Sequence, residues 1–337
     1  MSASLERALS GELFSRAEMR ALVREIMSGA LVDVQIAALL AALRTRGESL
    51  DEVIGAAEAM RELAVRLPEA PAGAIDTCGT GGDGAGTFNI STVSALVVAG
   101  AGVPVAKHGN RAASSRCGSA ELLEALGVAI EIAPERMARA VSEIGIGFLY
   151  ARLCHPAMAR VAPLRAALGV RTLFNRLGPL TNPMRVRRQL VGVATATLVE
   201  PTLAALIELG AECVWVVHGE DGLDELSVSA PTRVAAFANG RTERFIVGHG
   251  EIVPEASLGE IAGGDAAENA RIARALLAGE KGARRDAVLL NSAAALCVAG
   301  RARDLREGAR LAADALDSGR ASAVLARFVA FTRGASA

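Results

Sequence analysis

The sequence is poor in aromatic residues, balanced in charge and free of long apolar runs. Its 337 residues include 8 Phe, 1 Trp and 1 Tyr, too few rings for a surface that stacks the bases of single-stranded nucleic acid. Lysine and arginine total 36 against 37 aspartate and glutamate, so bulk charge gives no reason to expect a nucleic-acid or membrane partner. The longest nearly apolar run, 93–106, contains Ser94 and is shorter than the roughly 20 residues of a membrane-spanning helix.

Cysteine is scarce and scattered. No CxxC pair occurs among Cys78, Cys117, Cys154, Cys213 and Cys297, which disfavours a disulfide framework or a thiolate zinc site and favours a reducing compartment. The first 20 residues carry acidic side chains early and lack the positive-then-apolar pattern of an export signal, so we expect a cytoplasmic location. Apolar residues are abundant, at 51% against 22% charged, and predict a folded globular chain.

The first 70 residues are patterned as successive helices. Ser15 and Ser49 are each followed three positions later by glutamate, which is the spacing of a capping box, and Asp33 can cap a helix between them. Apolar residues recur at helical spacing after each of these starts. The pattern predicts a small helical domain over 1–70, joined by the segment 67–74 to the rest of the chain.

Beyond residue 74, short β-prone runs alternate with helical patterns, which is typical of an α/β fold with a largely parallel sheet. Asn239-Gly240 separates two β-prone runs and predicts a hairpin that adds antiparallel strands, so the central sheet should be mixed and flanked by helices. The segment 266–331 returns to helical patterns. The predicted strands are 74–77, 103–106, 147–150, 189–194 and 212–217, and the predicted helices include 91–100, 119–126, 134–144 and 199–209.

A glycine-rich run follows the first predicted strand, with the sequence Gly79-Thr80-Gly81-Gly82-Asp83-Gly84. It satisfies GxGxxG, but a dinucleotide site also needs an acidic residue about 20 positions on, and the second predicted strand ends in Ala106-Lys107-His108 instead. No GK[ST] follows, which excludes a P-loop. Glycines and the helix start at Asn89-Ile90-Ser91-Thr92 could bind a phosphate, or they could form an ordinary tight turn with Ser91 as a cap.

A basic segment follows the second predicted strand, with the sequence Lys107-His108-Gly109-Asn110-Arg111-Ala112-Ala113-Ser114-Ser115. Ligands of open parallel sheets bind outside the carboxyl ends of the strands, so this segment should face the glycine-rich run. Two cations, a histidine, an amide and hydroxyls would suit a polyphosphate, with Ser119 as a further contact. The alternative is a solvated basic loop.

An acidic segment follows the strand around Trp215. Four carboxylates lie within the six residues 220–225, and oxygen ligands of this kind suit Mg²⁺, which commonly bridges to substrate phosphates. An acidic surface turn is the alternative, although the position after a strand favours the metal.

Arg165 lies in a helical pattern near glycine- and proline-rich segments. It could hold a substrate carboxylate through a bidentate contact, although such an arginine more often forms a surface ion pair. His155 and His249 fit structural roles better than catalytic ones.

Taken together, these motifs resemble those of the anthranilate phosphoribosyltransferase family, and the similarity runs over essentially the whole chain. One departure is Ala151-Arg152, where the family usually has Ala-Pro. The shared elements are Asp76-x-x-Gly79-Thr80-Gly81-Gly82-Asp83, Asn89-Ile90-Ser91-Thr92, Lys107-His108-Gly109-Asn110-Arg111, Ser114-Ser115-x-Cys117-Gly118-Ser119-Ala120, GVRTLFN, GPLTNP and HGEDGLDELS.

The resemblance implies a nucleoside phosphorylase/phosphoribosyltransferase-like fold. A helical domain, 1–70 with a contribution from about 165–185, would pack beside an α/β domain, 74–337, with the substrates between them and a homodimer formed through the helical part. The implied reaction transfers the phosphoribosyl group of 5-phosphoribosyl 1-diphosphate (PRPP) to the amine of anthranilate, giving N-(5-phosphoribosyl)anthranilate and pyrophosphate in tryptophan biosynthesis. Anthranilate synthase components would be separate partners.

The resemblance also implies roles for individual residues. Lys107 and His108 would be catalytic. Gly79, Asn110 and Arg165 would contact anthranilate. Ser91, Asp224 and Glu225 would serve Mg²⁺, for which two ions are expected. The residues expected at PRPP are Gly79, Gly82, Asp83, Thr87, Asn89, Ile90, Ser91, Thr92, Lys107, His108, Gly109, Asn110, Arg111, Ala112, Ala113, Ser114, Ser115 and Ser119.

The chemistry can be argued from charge. Breaking the C1–O bond of PRPP releases pyrophosphate and builds positive charge on the ribose, so Mg²⁺, Lys107 and backbone dipoles should stabilise the departing anion. The neutral aryl amine becomes acidic only as the C–N bond forms, so His108 or the carboxylate of anthranilate would take the proton late. Two alternatives stay open: a pyrimidine nucleoside phosphorylase-like enzyme, and a non-catalytic PRPP-binding regulator.

Overall fold

The computed structural model describes residues 3–112 and 115–334. The chain begins with helices α1 (Ala3–Leu9), α2 (Arg16–Ser28), α3 (Asp33–Arg46) and α4 (Leu50–Leu63). Ser15 and Ser49 each complete the predicted capping box with the glutamate three positions on. Asp33 is not the cap of its helix, because Val32 holds that position and Asp33 begins the first turn. Its carboxylate still lies at the positive end of the helix dipole.

The larger part of the chain is built on a seven-stranded sheet in the order β3-β2-β1-β4-β5-β6-β7. Strands β1 to β5 are parallel, whereas β6 and β7 form the predicted antiparallel hairpin, so the mixed α/β fold is confirmed. The strands are β1 (Ile75–Gly79), β2 (Val105–Gly109), β3 (Ile146–Tyr150), β4 (Arg188–Gly192), β5 (Cys213–Gly219), β6 (Thr232–Ala238) and β7 (Arg241–Val247).

The second strand differs from its prediction. It begins at Val105 and extends through Lys107, His108 and Gly109, where the sequence pattern predicts the start of a loop. Their backbones pair with β3, with Lys107 opposite Phe148. Lys107 and His108 therefore project from a rigid strand end, which fixes their positions more firmly than a loop would.

Helices cover both faces of the sheet. They are α5 (Ile90–Gly100), α6 (Ser119–Leu126), α7 (Pro134–Ile144), α8 (Ala151–Cys154), α9 (Ala162–Leu168), α10 (Val199–Glu208), α11 (Ala266–Leu277), α12 (Ala283–Val298), α13 (Leu305–Asp317) and α14 (Arg320–Arg333). None of the helices within the described residues is both long enough and apolar enough to cross a membrane.

Two large apolar clusters form the core. The first joins α5, α6 and the C-terminal helices α11 to α14 on one side of the sheet. The second joins the N-terminal helices to α10 and to the other side of the sheet, through side chains such as Val191 and Val214. Leu173 and Phe174 also belong to the second cluster, so the segment near 165–185 packs with the N-terminal helices.

Candidate active site

The predicted site residues converge at the carboxyl edge of the sheet. Strand β1 ends at Gly79 and β2 at Gly109, and the acidic segment follows β5. Since β1 lies beside both β2 and β4, and β5 lies beside β4, these three strand ends face one crevice.

Two glycines make room for Asp224. A Cβ atom added to Gly79 would lie 2.7 Å from Asp224 Oδ2, and one added to Gly192 would lie 1.5 Å from the Asp224 carbonyl oxygen. The backbone N–H of Gly81 donates a hydrogen bond of 2.8 Å to Asp224 Oδ2. Gly81 and Gly82 both have positive φ, a conformation that glycine adopts at little cost. The glycine-rich loop and the acidic segment therefore fit against each other directly.

The side chain of Glu225 packs against the first turn of helix α5. The backbone N–H of Ser91 donates to Glu225 Oε1 over 3.1 Å, so the carboxylate faces the positive end of the helix dipole. Lys107 Nζ donates to Ser91 Oγ over 3.3 Å and also to the Thr77 carbonyl oxygen. Ser91, Glu225 and Lys107 thus form one connected group.

The two carboxylates are costly to ionise together. Burial raises the pKa of Asp224 above its ordinary range, and the Asp83 carboxylate adds to the effect. Burial also raises the pKa of Glu225, as does the neighbouring Asp224, while Lys107 opposes the rise. A cation between these oxygens would relieve both effects.

Protein side chains alone do not complete a metal site. Within 3–112 and 115–334, no three His, Cys, Asp or Glu side chains are grouped so that they could hold an ion. Mg²⁺ commonly keeps several waters and is held by one or two carboxylates together with substrate phosphates. The pair formed by Asp224 and Glu225 fits that mode of binding.

The other two carboxylates of the acidic segment have structural partners. Asp221 accepts hydrogen bonds from the hydroxyls of Ser227, at 2.7 Å, and Ser229. Glu220 forms an ion pair of 2.6 Å with Arg233. The segment therefore separates into a turn that is held by Asp221 and a pair of carboxylates that faces the crevice.

The basic segment is folded against α6. Ser119 Oγ donates to the Asn110 carbonyl oxygen over 3.1 Å, and the absence of a side chain at Gly109 and Gly118 permits this close packing. Arg111 donates to both Glu124 oxygens, at 2.7 and 2.8 Å, and to the Tyr150 hydroxyl. The bonds to Glu124 raise the pKa of Arg111. Its guanidinium is thus already bound to carboxylate, and Ala112 donates its backbone N–H to Glu121.

Two further residues of this segment, Ala113 and Ser114, lie outside the described residues. Ser115 is exposed, and its hydroxyl is 3.4 Å from the Cys117 carbonyl oxygen. Cys117 in turn accepts a hydrogen bond from the Asn89 side chain, so this end of the segment is tied to the start of α5.

Asn89 is held on both sides of its amide. Its Nδ2 donates to the Cys117 carbonyl oxygen over 3.0 Å, and its Oδ1 accepts from Asn269 over 2.9 Å. Ile90 and Thr92 are buried, and Thr87 forms an isolated bridge with Ala262. The side chains of Asn89 and Ile90 are therefore used within the protein, and a ligand at this segment would contact mainly its backbone.

His108 is buried at the end of β2. Its Nδ1 lies 3.1 Å from the Gly178 carbonyl oxygen, and its backbone N–H donates to Asp76 over 3.1 Å. Burial lowers the pKa of His108 to about 3, and the neighbouring His155 contributes. The ring of His155, for which the sequence favours a structural role, lies with its centroid 5.1 Å from that of His108.

Asp76 connects three parts of this region. Besides the backbone of His108, it accepts a hydrogen bond of 2.9 Å from Asn182 of the GPLTNP segment. Asn182 also donates to the Ala106 carbonyl oxygen over 2.9 Å. Burial raises the pKa of Asp76 to about 6. These bonds fix the loop that carries Gly178 against the end of β2.

Arg165 lies on α9 and is half-buried. Its guanidinium carbon is 5.8 Å from the centre of the Phe174 ring, and burial lowers the pKa of its side chain. Its Nε is buried without a hydrogen-bond partner among the described residues. The side chain is thus left available for a carboxylate ligand.

Sequence reasoning gave no role to Arg171. Its Nη1 donates to the Gly81 carbonyl oxygen over 2.8 Å and so links the GVRTLFN segment to the glycine-rich loop. Its place in the GVRTLFN motif was the one sequence feature that could have indicated a role for Arg171. Its partner is 90 residues away in sequence, so spacing alone could not identify the contact.

Comparison with known proteins agrees with this arrangement. Residues 2–64 match the family model described as glycosyl transferase family, helical bundle domain, and residues 72–322 match the glycosyl transferase family, a/b domain. The chain is 52% identical to an anthranilate phosphoribosyltransferase of Rubrobacter xylanophilus, over 98% of this chain and 97% of that protein.

Solved structures give the same result. The anthranilate phosphoribosyltransferase of Thermus thermophilus is 47% identical, with a TM-score of 0.92 over 98% of this chain and 99% of that one. The Saccharomyces cerevisiae enzyme in complex with PRPP and Mg is 28% identical, with a TM-score of 0.89 over 98% and 97% of the two chains. The yeast enzyme in complex with 4-fluoroanthranilate is 26% identical, with a TM-score of 0.86 at the same coverage. The chain therefore belongs to the anthranilate phosphoribosyltransferase family.

Proposed function

We propose that this protein transfers the 5-phosphoribosyl group of PRPP to the amine of anthranilate and releases pyrophosphate. The observation that carries the proposal is the junction at the sheet edge, where Ser91 and Lys107 meet the Asp224 and Glu225 carboxylates. The relatives favour this activity over a nucleoside phosphorylase or a regulator.

The diphosphate of PRPP would lie between the glycine-rich loop and the end of β2. Asp224 and Glu225, with Ser91, would hold Mg²⁺, for which we propose two ions. When bound, Mg²⁺ neutralises charge on the diphosphate and on the pyrophosphate that leaves. The residues proposed to line the sugar phosphate are Gly79, Gly82, Asp83, Thr87, Asn89, Ile90, Ser91, Thr92, the 107–115 segment and Ser119.

Lys107 is fixed for this role by its neighbours. Its ammonium group is buried and is held by the Thr77 carbonyl oxygen and the Ser91 hydroxyl, so it is already oriented before a ligand binds. A preoriented cation stabilises developing negative charge without having to reorganise during the reaction. Lys107 therefore acts on the leaving pyrophosphate.

Anthranilate would lie between Arg165 and the Gly79 and Asn110 backbones. The guanidinium of Arg165 has donors suited to a carboxylate, and its partly desolvated environment strengthens that contact. Holding the carboxylate aims the neighbouring amine at the ribose C1, and positioning of this kind supplies much of the rate enhancement.

His108 would take the proton that the amine loses. If Nδ1 carries the hydrogen and donates it to the Gly178 carbonyl oxygen, Nε2 is left as an acceptor. The pKa of about 3 keeps this ring neutral, and such a weak base suffices because the aryl amine is strongly acidic once the C–N bond forms. Proton transfer thus comes after C–N bond formation.

The domain division is part of the proposal. The helical domain would comprise 1–70 with about 165–185, and the α/β domain would comprise 74–337. The packing of Leu173 and Phe174 with the N-terminal helices supports this division. A cytoplasmic location is supported by the five cysteines, which are all within the described residues and free.

We also propose a homodimer formed through the helical domain. Four large apolar side chains, Leu9, Leu13, Val32 and Val34, are exposed on α1, on the loop after it and at the start of α3, which packs against α1. Val34→Glu should give a monomer in sedimentation experiments. Ile246→Glu, at a comparably exposed position on β7, is the matched control and should leave a dimer. A dimeric Val34→Glu protein would place the interface elsewhere.

The activity is tested with purified full-length protein. Product formation from PRPP and anthranilate should require Mg²⁺, and thymidine with phosphate should give no reaction. Calorimetric titration of PRPP in the presence of Mg²⁺ measures binding separately. Binding without turnover would indicate a regulator, and phosphorolysis of thymidine would indicate a nucleoside phosphorylase; either result would refute the proposal.

A further inference from the structure

A buried asparagine on α12 holds the backbone beside Glu225. Asn291 is fully buried, and its Oδ1 accepts a hydrogen bond of 2.9 Å from the backbone N–H of Leu226. Its Nδ2 donates to the carbonyl oxygen of the same residue over 2.9 Å. Both main-chain groups of Leu226 are therefore paired with one side chain.

A planar amide is well suited to this pair of contacts. Asparagine offers a donor and an acceptor side by side, which matches the N–H and C=O of one residue much as a neighbouring strand would. The remaining hydrogen of Nδ2 is donated to the Ala287 carbonyl oxygen of the preceding helical turn, over 3.0 Å. A buried amide is costly unless it is hydrogen-bonded, and here its donors and its acceptor are used.

Helix α12 also supports the opposite side of the metal pair. It packs against α5, and Ser94 Oγ of α5 lies 3.5 Å from the Val288 carbonyl oxygen of α12. The second residue of α5 is Ser91, whose backbone N–H holds Glu225. Helix α12 therefore contacts both partners of that hydrogen bond: it packs against the helix that carries Ser91, and through Asn291 it holds the residue next to Glu225.

We infer that Asn291 is a positioning residue for the magnesium site. By fixing Leu226, it holds Glu225 against the start of α5 and keeps the Asp224 and Glu225 carboxylates close together despite their mutual repulsion. Without this anchor the acidic segment relaxes and the two carboxylates move apart. The inference rests on the magnesium site of the proposed function.

Two substitutions test the anchor. Asn291→Leu keeps nearly the same volume but offers neither a donor nor an acceptor to Leu226 and Ala287. Asn291→Ser is smaller and removes the paired contact without adding charge. The matched control is Ser292→Ala on the same helix, because the buried Ser292 hydroxyl has no hydrogen-bond partner among the described residues.

Magnesium dependence is the deciding measurement. Calorimetric binding of PRPP is titrated with Mg²⁺ for each variant, and amide hydrogen exchange is followed over 224–228. Since residues that orient metal ligands typically contribute about 10-fold or more to metal affinity, we expect the Mg²⁺ midpoint of both Asn291 variants to rise by about that factor. In the Asn291 variants, amide exchange at Leu226 should accelerate while the KM for anthranilate stays at the wild-type value. The Ser292→Ala protein should match wild type in all three measurements.

The outcomes separate this inference from the proposed function. Wild-type protein that binds PRPP with no dependence on Mg²⁺ would refute the proposed metal site itself. Wild-type dependence together with an unchanged midpoint in a folded Asn291 variant would refute the anchor alone. Equal weakening of Mg²⁺ and anthranilate binding would show a general loss of structure and would also overturn the positioning role.

Discussion

The carboxylate of Asp224 packs against Gly79, where an added Cβ atom would be only 2.7 Å from Oδ2. Heavy atoms that are not bonded or hydrogen-bonded pack at about 3.5–4.0 Å, so no side chain fits there without moving the carboxylate. Gly79 ends β1 and Asp224 follows β5, so this contact joins the glycine-rich loop to the metal pair. The absence of a side chain at position 79 is thus a requirement of the site.

We expect Gly79→Ala to displace Asp224 and to reduce kcat/KM for PRPP by about 100-fold, since misplacing a site group by about 1 Å commonly has that effect. The fold should persist, because the φ angle of Gly79 is not in the positive region. Steady-state kinetics at saturating anthranilate measure the effect. Gly259→Ala is the control, because among the described residues its added methyl group would meet no atom nearer than the Ser257 hydroxyl, 3.8 Å away. Equal activity of the two variants would show that Asp224 has no fixed position.

The parts of the fold that depend on local sequence were predictable. The capping boxes at Ser15 and Ser49 and the Asn239-Gly240 hairpin each involve neighbours a few positions apart, and the structure confirms all three. The end of β2 was not predictable, because the sequence Lys107-His108-Gly109 favours a loop locally. Pairing with β3 outweighs that preference.

The sequence predicted which segments form the site, but it did not predict the partner of each side chain. Counting carboxylates could not separate Asp221, which caps its own turn, from Asp224, which faces the crevice. The partners of Arg171 and Asn291 lie 90 and 65 residues away, so no spacing rule reveals them. Such contacts depend on the tertiary fold.

The raised pKa values of Asp224 and Glu225 predict a pH-dependent stability of the protein without Mg²⁺. A carboxyl group whose pKa is higher in the folded state binds its proton more tightly there. Its contribution to the free energy of unfolding is therefore full below the pKa of the unfolded chain, about 4, and is lost as pH rises toward neutrality and above. Chemical denaturation at several pH values should show this decline. Mg²⁺ with PRPP should reduce it.

The double variant Asp224→Asn, Glu225→Gln is the comparison for that experiment. Its stability should fall less over the same pH range, and its magnesium-dependent turnover should be abolished because the metal ligands are gone. Asp221 is kept intact, since it holds the preceding turn. A variant with the wild-type pH slope and the wild-type magnesium dependence would remove both carboxylates from the metal site.

Arg165→Ala should weaken anthranilate far more than PRPP. A hydrogen bond between charged groups contributes about 1.5–3 kcal/mol, so we expect the KM for anthranilate to rise by roughly 10- to 150-fold while the KM for PRPP stays near wild type. Arg187→Ala is a suitable control, because Arg187 is exposed and pairs with Glu212 at the far end of β4. Equal losses for both substrates would contradict the role of Arg165 in holding the carboxylate.

Replacement of His108 distinguishes its two ring nitrogens. In His108→Asn the side-chain amide can still donate to the Gly178 carbonyl oxygen, as Nδ1 does in the proposed tautomer, but no acceptor remains at the place of Nε2. A positioned general base typically contributes about 100-fold or more, so we expect kcat to fall by about that factor with PRPP binding retained.

Because the pKa of His108 is lowered to about 3, wild-type kcat should show no titration of this ring between about pH 5 and 9. His108→Ala with near-normal turnover would assign the proton to another acceptor, of which the carboxylate of anthranilate is the nearest chemical candidate.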